Sequence, residues 1–144
     1  MADKAHVLVV ANKTAGSEEL VNALRERAQQ GPAHFHLVVP ASPRGASWAF
    51  DMHSGHDDAE HDLEGALERL RAHGLDVEGE VGDPDPVAAV SDSAHFGSYA
   101  EVIVSTLPKH LSKWLKLDVA SKIAHATGLP VKHVEAHSRS QAPA

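Results

Sequence analysis

The sequence predicts a three-layer α/β/α sandwich built on a five-stranded parallel sheet, and three observations carry that reading. Short apolar runs alternate along the whole chain with segments whose apolar residues recur at helical spacing. Such alternation means parallel strands joined by right-handed crossovers, with helices on both faces. The first run, Val7-Leu-Val-Val-Ala11, is β-branched and wholly apolar, as a strand buried on both faces should be. Finally, 144 residues with 42% hydrophobic content suffice for one core and leave no room for a second ordinary domain. With aromatics at only 4%, that core must be mostly Val, Leu, Ile and Ala.

After the first strand comes a short polar stretch, Asn12 to Gly16. Ser17 can cap a helix whose positive first turn suits Glu18 and Glu19. Leu20, Val21, Leu24 and Ala28 share one stripe of it, and Gly31-Pro32 stops it. His34 to Val39 reads as the second strand, ended by Pro40. The longest irregular stretch follows, from Ala41 to about Asp57, and holds Trp48 and Phe50. Leu63, Ala66, Leu67 and Leu70 then mark a helix that Gly74 terminates. Leu75, Val77 and Val81 alternate with polar residues, which predicts a third strand over 75–81.

Asp83-Pro-Asp-Pro86 is a strong helix start, because Asp caps and Pro is preorganised at the first helical position. Val87, Val90 and Ala94 continue that helix towards Gly97. Glu101-Val-Ile-Val-Ser105 is the fourth strand, and Pro108 to Lys116 is expected to be a loop with a helical turn. Asp118 is expected to cap a last helix through Val119, Ile123 and Ala126, ended by Gly128-Leu-Pro130. Val131 to Val134 is the fifth strand. Residues 1–137 thus form one α/β domain, and 138–144 are expected to be a disordered tail. The expected strand order is 3-2-1-4-5, with the most apolar strand at the centre. In such sheets the ligand crevice lies beyond the carboxyl ends of the strands where the order reverses. That point falls between strands one and four and brings Asn12 and Lys13 beside Ser105 and Thr106.

At this point the chain resembles the universal stress protein family. The residues that carry the likeness are Val7-Leu-Val-Val10, Gly82-Asp-Pro84, Glu101-Val-Ile-Val104 and Ala124-His-Ala-Thr-Gly-Leu-Pro-Val131, within a span of about residues 5–135. The resemblance implies the five-stranded fold grouped with the adenine nucleotide alpha hydrolases, and a homodimer formed through the fifth strands. The family's better-known branch binds ATP with a Gly-x2-Gly-x9-Gly-[Ser/Thr] loop after the fourth strand. Small residues there let backbone N–H groups approach the phosphates. In the same spacing this chain has Ser105, Pro108 and Asp118 at the glycine positions and Val119 at the hydroxyl position. The family's Asp after the first strand is Asn12 here. Pro108 lacks an N–H, and the Asp118 carboxylate repels phosphate. The resemblance therefore implies a divergent member that lacks the glycine ATP loop.

Charge and composition narrow the function further. Lys plus Arg is 13 against 20 Asp plus Glu, a net charge of −7. An acidic chain of this kind is no general nucleic-acid binder and no electrostatic anchor on anionic lipid. There are no cysteines, which excludes disulfides, thiolate catalysis and Cys-ligated zinc. The apolar run near the N-terminus is too short for a signal peptide or a membrane span, and a cytoplasmic protein is expected. No Gly-x-Ser-x-Gly elbow, Walker loop or Gly-x-Gly-x-x-Gly fingerprint is present, so nucleophilic catalysis has no visible support.

Three features remain. In the altered loop Lys109, Lys113 and Lys116 recur with His110 and Trp114 among them, as an anion site or as a solvated helix face. The crevice candidates are thus Asn12, Lys13, Val39, Ser105, Thr106, Lys109, His110, Lys113 and Asp118. His53, His56 and His61 stand among carboxylates, either as metal ligands or pH sensors, or as part of a polar loop. Histidine is unusually frequent overall, with 12 residues. The reading that results is a non-catalytic, ligand-sensing or regulatory domain with a degenerate ATP loop. A nucleotide binder for ATP or AMP using a non-standard loop is the first alternative, and a His-based metal or pH sensor the second.

Overall fold

The structure is a computed structural model that describes residues 4–11, 15–41, 52–106 and 118–136; for 52–58 and for Phe96 it describes the backbone alone. Among these residues the elements run β1 (Ala5–Val10), α1 (Glu18–Gln30), β2 (Ala33–Pro40), α2 (Met52–Ala72), β3 (Val77–Gly82), α3 (Pro86–Phe96), β4 (Glu101–Thr106), α4 (Val119–Thr127) and β5 (Val131–Glu135). The strands form one parallel sheet in the order β3-β2-β1-β4-β5, as expected from the sequence. Val7, Leu8, Val9 and Val10 of the central strand are all at 0% exposure.

Because successive strand residues point to opposite faces, β1 divides between two cores. Val7 and Val9 pack with Phe35, Leu37, Val77 and Ile103 beneath Leu20 and Leu24 of α1 and Leu63, Ala66 and Leu70 of α2. Leu8 and Val10 pack with Val38, Val102 and Val104 beneath Ala89 and Val90 of α3 and Val119 and Ile123 of α4. Full burial of each Val, Leu, Ile or Phe among them contributes roughly 1.5–3 kcal/mol. Gly79 of β3 marks the closest approach: a Cβ there would stand 2.6 Å from the Leu37 carbonyl oxygen and 2.7 Å from Leu63 Cδ1. Only glycine lets β3 and α2 come this near.

The caps follow the sequence in two helices. Ser17 Oγ accepts from the Leu20 N–H at 3.2 Å, and Asp85 accepts from the Val87 N–H at 3.0 Å with Pro86 in the first helical turn. The last turn of α1 is tied to β4 where Arg27 Nε donates to Glu101 Oε2 at 2.9 Å.

Elsewhere the structure corrects the sequence reading. Residues 52–57, expected to be irregular, form the first turns of α2. Their polar residues carry no amphipathic signal, and the helix extends from its packed carboxyl part. β3 begins two residues later than expected and runs to Gly82. Asp118 precedes α4 but does not cap it through its side chain. Among the described residues, no helix is long and apolar enough to cross a membrane.

Candidate functional site

The sheet order reverses at β1, and of the crevice candidates the structure describes Val39 near the end of β2, Ser105 and Thr106 as the last two residues of β4, and Asp118 just before α4. Val10 pairs with Val104, which sets Ala11 beside Ser105. Ser105 is at 0% exposure and Thr106 at 3%, two hydroxyls buried at the end of an apolar strand. Thr106 Oγ1 lies 2.6 Å from His133 Nε2 on the neighbouring β5. The Thr106 carbonyl accepts from the Ala136 N–H at 2.7 Å, which fixes the strand end against β5. Across β1, Val39 is buried at the end of β2, and Ala11 N–H donates to the Val38 carbonyl at 3.2 Å. Ala15, Gly16 and Ser17 are buried just before α1.

Asp118 is the unusual member. Its φ of 53° and ψ of 49° lie in the left-handed region, and it is the sole non-glycine residue with positive φ among those described. An extended Ncap residue swings its carboxylate onto the free N–H groups of the first turn. A left-handed one does not, and no side-chain cap forms here. The Asp118 carbonyl still accepts from the Lys122 N–H at 3.2 Å. The sequence reading assigned the capping bond from residue type, and the dihedral angles overturn it.

The other crevice candidates, Asn12, Lys13, Lys109, His110 and Lys113, lie outside the described residues, as does Pro108. The His53 and His56 backbones lie in the first turns of α2, three positions apart and so on one face of the helix. His61 is an exposed residue further along the same helix.

A second polar cluster went unnoticed in the sequence. On the α3 side of the sheet, His34 and His36 of β2 face Glu78 and Glu80 of β3 and Asp76 just before it. At its upper end a cleft of about 260 Å³ is lined by His36, Glu78, Glu80, Asp92, Ser93 and Tyr99. Burial raises the Tyr99 hydroxyl pKa, and the charges of Glu80 and Glu78 add to it. Among the described residues, no group of three or more His, Asp or Glu side chains converges as a metal site. The signal was present as two alternating runs, His34-Phe-His36 and Asp76-Val-Glu78-Gly-Glu80.

No protein-family model matches the chain, and no curated protein matches it. Solved structures match it over nearly its whole length. The universal stress protein from Archaeoglobus fulgidus in complex with dAMP superposes with a TM-score of 0.63 at 17% identity, over 93% of this chain and 99% of that one. A universal stress protein family protein from Arabidopsis thaliana with AMP bound gives 0.65 at 13% identity, over 93% of each chain. A universal stress protein in complex with cAMP gives 0.60 at 19% identity, over 92% of this chain and 98% of that one. The chain therefore has the fold of the universal stress proteins.

Proposed function

We propose that this chain is a regulatory domain of the universal stress protein family, which senses a small ligand without turning it over. The ligand sits in the crevice between the carboxyl ends of β1 and β4, and it is an adenine mononucleotide rather than ATP. The observation that carries this reading is Asp118. Its backbone has the left-handed conformation that glycine favours, at a position where the ATP-binding branch has glycine, while its side chain is a carboxylate. That combination supports a crevice that keeps the family's backbone path and opposes a triphosphate. The buried Ser105 and Thr106 support a polar floor for a smaller ligand. Three similar structures are described with AMP, dAMP or cAMP, each with a single phosphate.

In this reading the domain acts by changing its surface for a protein partner when the ligand binds. It acts in the cytoplasm as a homodimer. Calorimetry with AMP and with ATP tests the reading. AMP should bind in the micromolar range and ATP more weakly than about 100 μM, which corresponds to about −5.5 kcal/mol. Micromolar ATP affinity would establish a triphosphate binder instead. Failure of both nucleotides, with nothing released from the purified protein in mass spectrometry, would leave partner binding without a nucleotide.

A further inference from the structure

The sheet face beneath α3 changes character along its length. Towards the carboxyl ends Leu8, Val10 and Val38 are buried under that helix. The same face carries titratable groups, with His6, His34 and Asp76 at the amino ends of β1, β2 and β3, and His36, Glu78 and Glu80 further along β2 and β3. The register brings them into rows, with His6 opposite His34 and His36 opposite Glu78. A backbone bond from the Phe35 N–H to the Asp76 carbonyl at 2.9 Å holds Asp76 beside His34.

His34 is bracketed. Its Nδ1 lies 3.0 Å from Asp76 Oδ2 and its Nε2 lies 3.1 Å from Glu78 Oε1. A neutral imidazole has one N–H and one lone-pair nitrogen, and an ionised carboxylate only accepts. Both contacts are hydrogen bonds together only when the ring is an imidazolium. Asp76 Oδ2 also accepts from Lys4 Nζ at 2.6 Å. One chain of contacts thus joins the residue before β1, the second residue of β2 and the residue before β3. One rung further up, His36 lies between Glu78 and Glu80, at 3.6 Å and 3.1 Å.

We propose that His34 is a proton-operated pin that tightens the joined amino ends of β1, β2 and β3 and loosens them when it loses its proton. The groups that face it are Asp76 and Glu78 from the β3 side, and His6 from β1 with ring centroids 5.6 Å away. Lys4 reaches it through Asp76, and His36 through the shared Glu78. Asp92 of α3 and Tyr99 border the neighbouring cleft around His36. Of these, the two in direct contact with the ring nitrogens are carboxylates, and both favour the imidazolium.

The same contacts bias the proton equilibria of the groups involved. Burial of the His34 ring lowers its pKa, but hydrogen bonds and charge from Asp76 and Glu78 outweigh that and hold it above the ordinary 6.5. The Asp76 carboxyl is held below its ordinary 3.8, chiefly by the bond from Lys4 and next by that from His34. Glu78 is held below 4.5, chiefly by the bond from His34. With the folded imidazole pKa above the unfolded one, its stabilisation is complete below about 6.5 and fades as pH rises through the folded value. The carboxylates contribute above about 4.5 and lose that contribution as pH falls through their folded values. The pin is therefore tightest in mildly acidic solution and loosens on the alkaline side.

The test is NMR titration of the His34 ring in the full chain, with urea unfolding of the parent and of His34→Gln at several pH values from 5.5 to 8.5. The ring resonance should titrate above 6.5 in the parent and move down in Asp76→Asn with Glu78→Gln. The stability difference between parent and His34→Gln should shrink as pH rises. A His34 resonance that titrates at or below 6.5 overturns the proposal, and so does a stability difference that does not change with pH. The parent titration needs no variant, so a misfolded His34→Gln leaves the proposal open to refutation.

Discussion

Thr106 Oγ1 and His133 Nε2 lie 2.6 Å apart, across the pairing of β4 with β5, at the carboxyl end of the sheet. The Thr106 side chain is buried while His133 is exposed, so the bond links the buried end of β4 to the edge strand. Thr106→Val keeps the shape and removes the bond, and His133 can turn to water instead. Urea denaturation should show a loss of about 1 kcal/mol, the usual net value of one such bond. No measurable loss would mean that the contact contributes nothing to stability.

At Asp118 the left-handed backbone costs a non-glycine residue roughly 1–2 kcal/mol, while glycine adds about 0.5–1 kcal/mol of chain entropy to be lost on folding. The larger effect wins, and the exposed Asp118 side chain makes no capping bond to lose. Asp118→Gly should therefore raise stability by about 0.5–1 kcal/mol. A destabilised variant would reveal an interaction of that carboxylate worth more than the strain.

Gly79→Ala should act in the opposite direction. Its Cβ would press on a backbone oxygen of β2, which cannot swing away as a flexible side chain could. Forced separation of β3 from β2 and α2 should cost about 1–3 kcal/mol in thermal or urea unfolding. A stability equal to the parent's would show that β3 shifts freely.

The altered loop makes a prediction about ligand choice. Ser105→Gly, Pro108→Gly and Asp118→Gly together should raise the affinity for ATP above the parent's, because they introduce small residues and remove a charge. Calorimetry decides the point. A triple variant as weak as the parent would place the cause outside these three positions.

β5 is an edge strand, with Lys132, His133 and Glu135 exposed and Val134 buried. A free edge is a template for pairing, and a dimer through β5 would cover it. Light scattering at high micromolar concentration should give the mass of a dimer. The mass of a single chain would leave β5 protected by its polar residues alone.

How much of this was legible in the sequence depended on whether the signal was local. Val7–Val10 told of a central strand because four consecutive apolar residues suit only a site covered on both faces. Ser17 and Asp85 told of helix starts because capping depends on a few neighbouring residues. Asp118 has the same residue type as a good cap, but its left-handed φ cannot be read from the residue itself. The start of α2 was hidden because 52–58 hold no apolar stripe. The histidine pin lay in plain view as two alternating runs, yet His34 and Glu78 are 44 residues apart and only the β2–β3 register joins them.

The central position of β1 also sets an order of events during folding. Val7 meets Phe35 on one side, 28 residues away, and Glu101 on the other, 94 residues away. Closing the longer loop is slower, and during synthesis it must wait until β4 has emerged. Until then Val7-Leu-Val-Val10 presents an uncharged open edge, able to pair with another chain. A nascent chain that stops before residue 101 should therefore aggregate where the full chain does not. Pulse-labelled hydrogen exchange should protect the β1–β2–β3 half of the sheet before the β4–β5 half, and simultaneous protection of all five strands would refute this order.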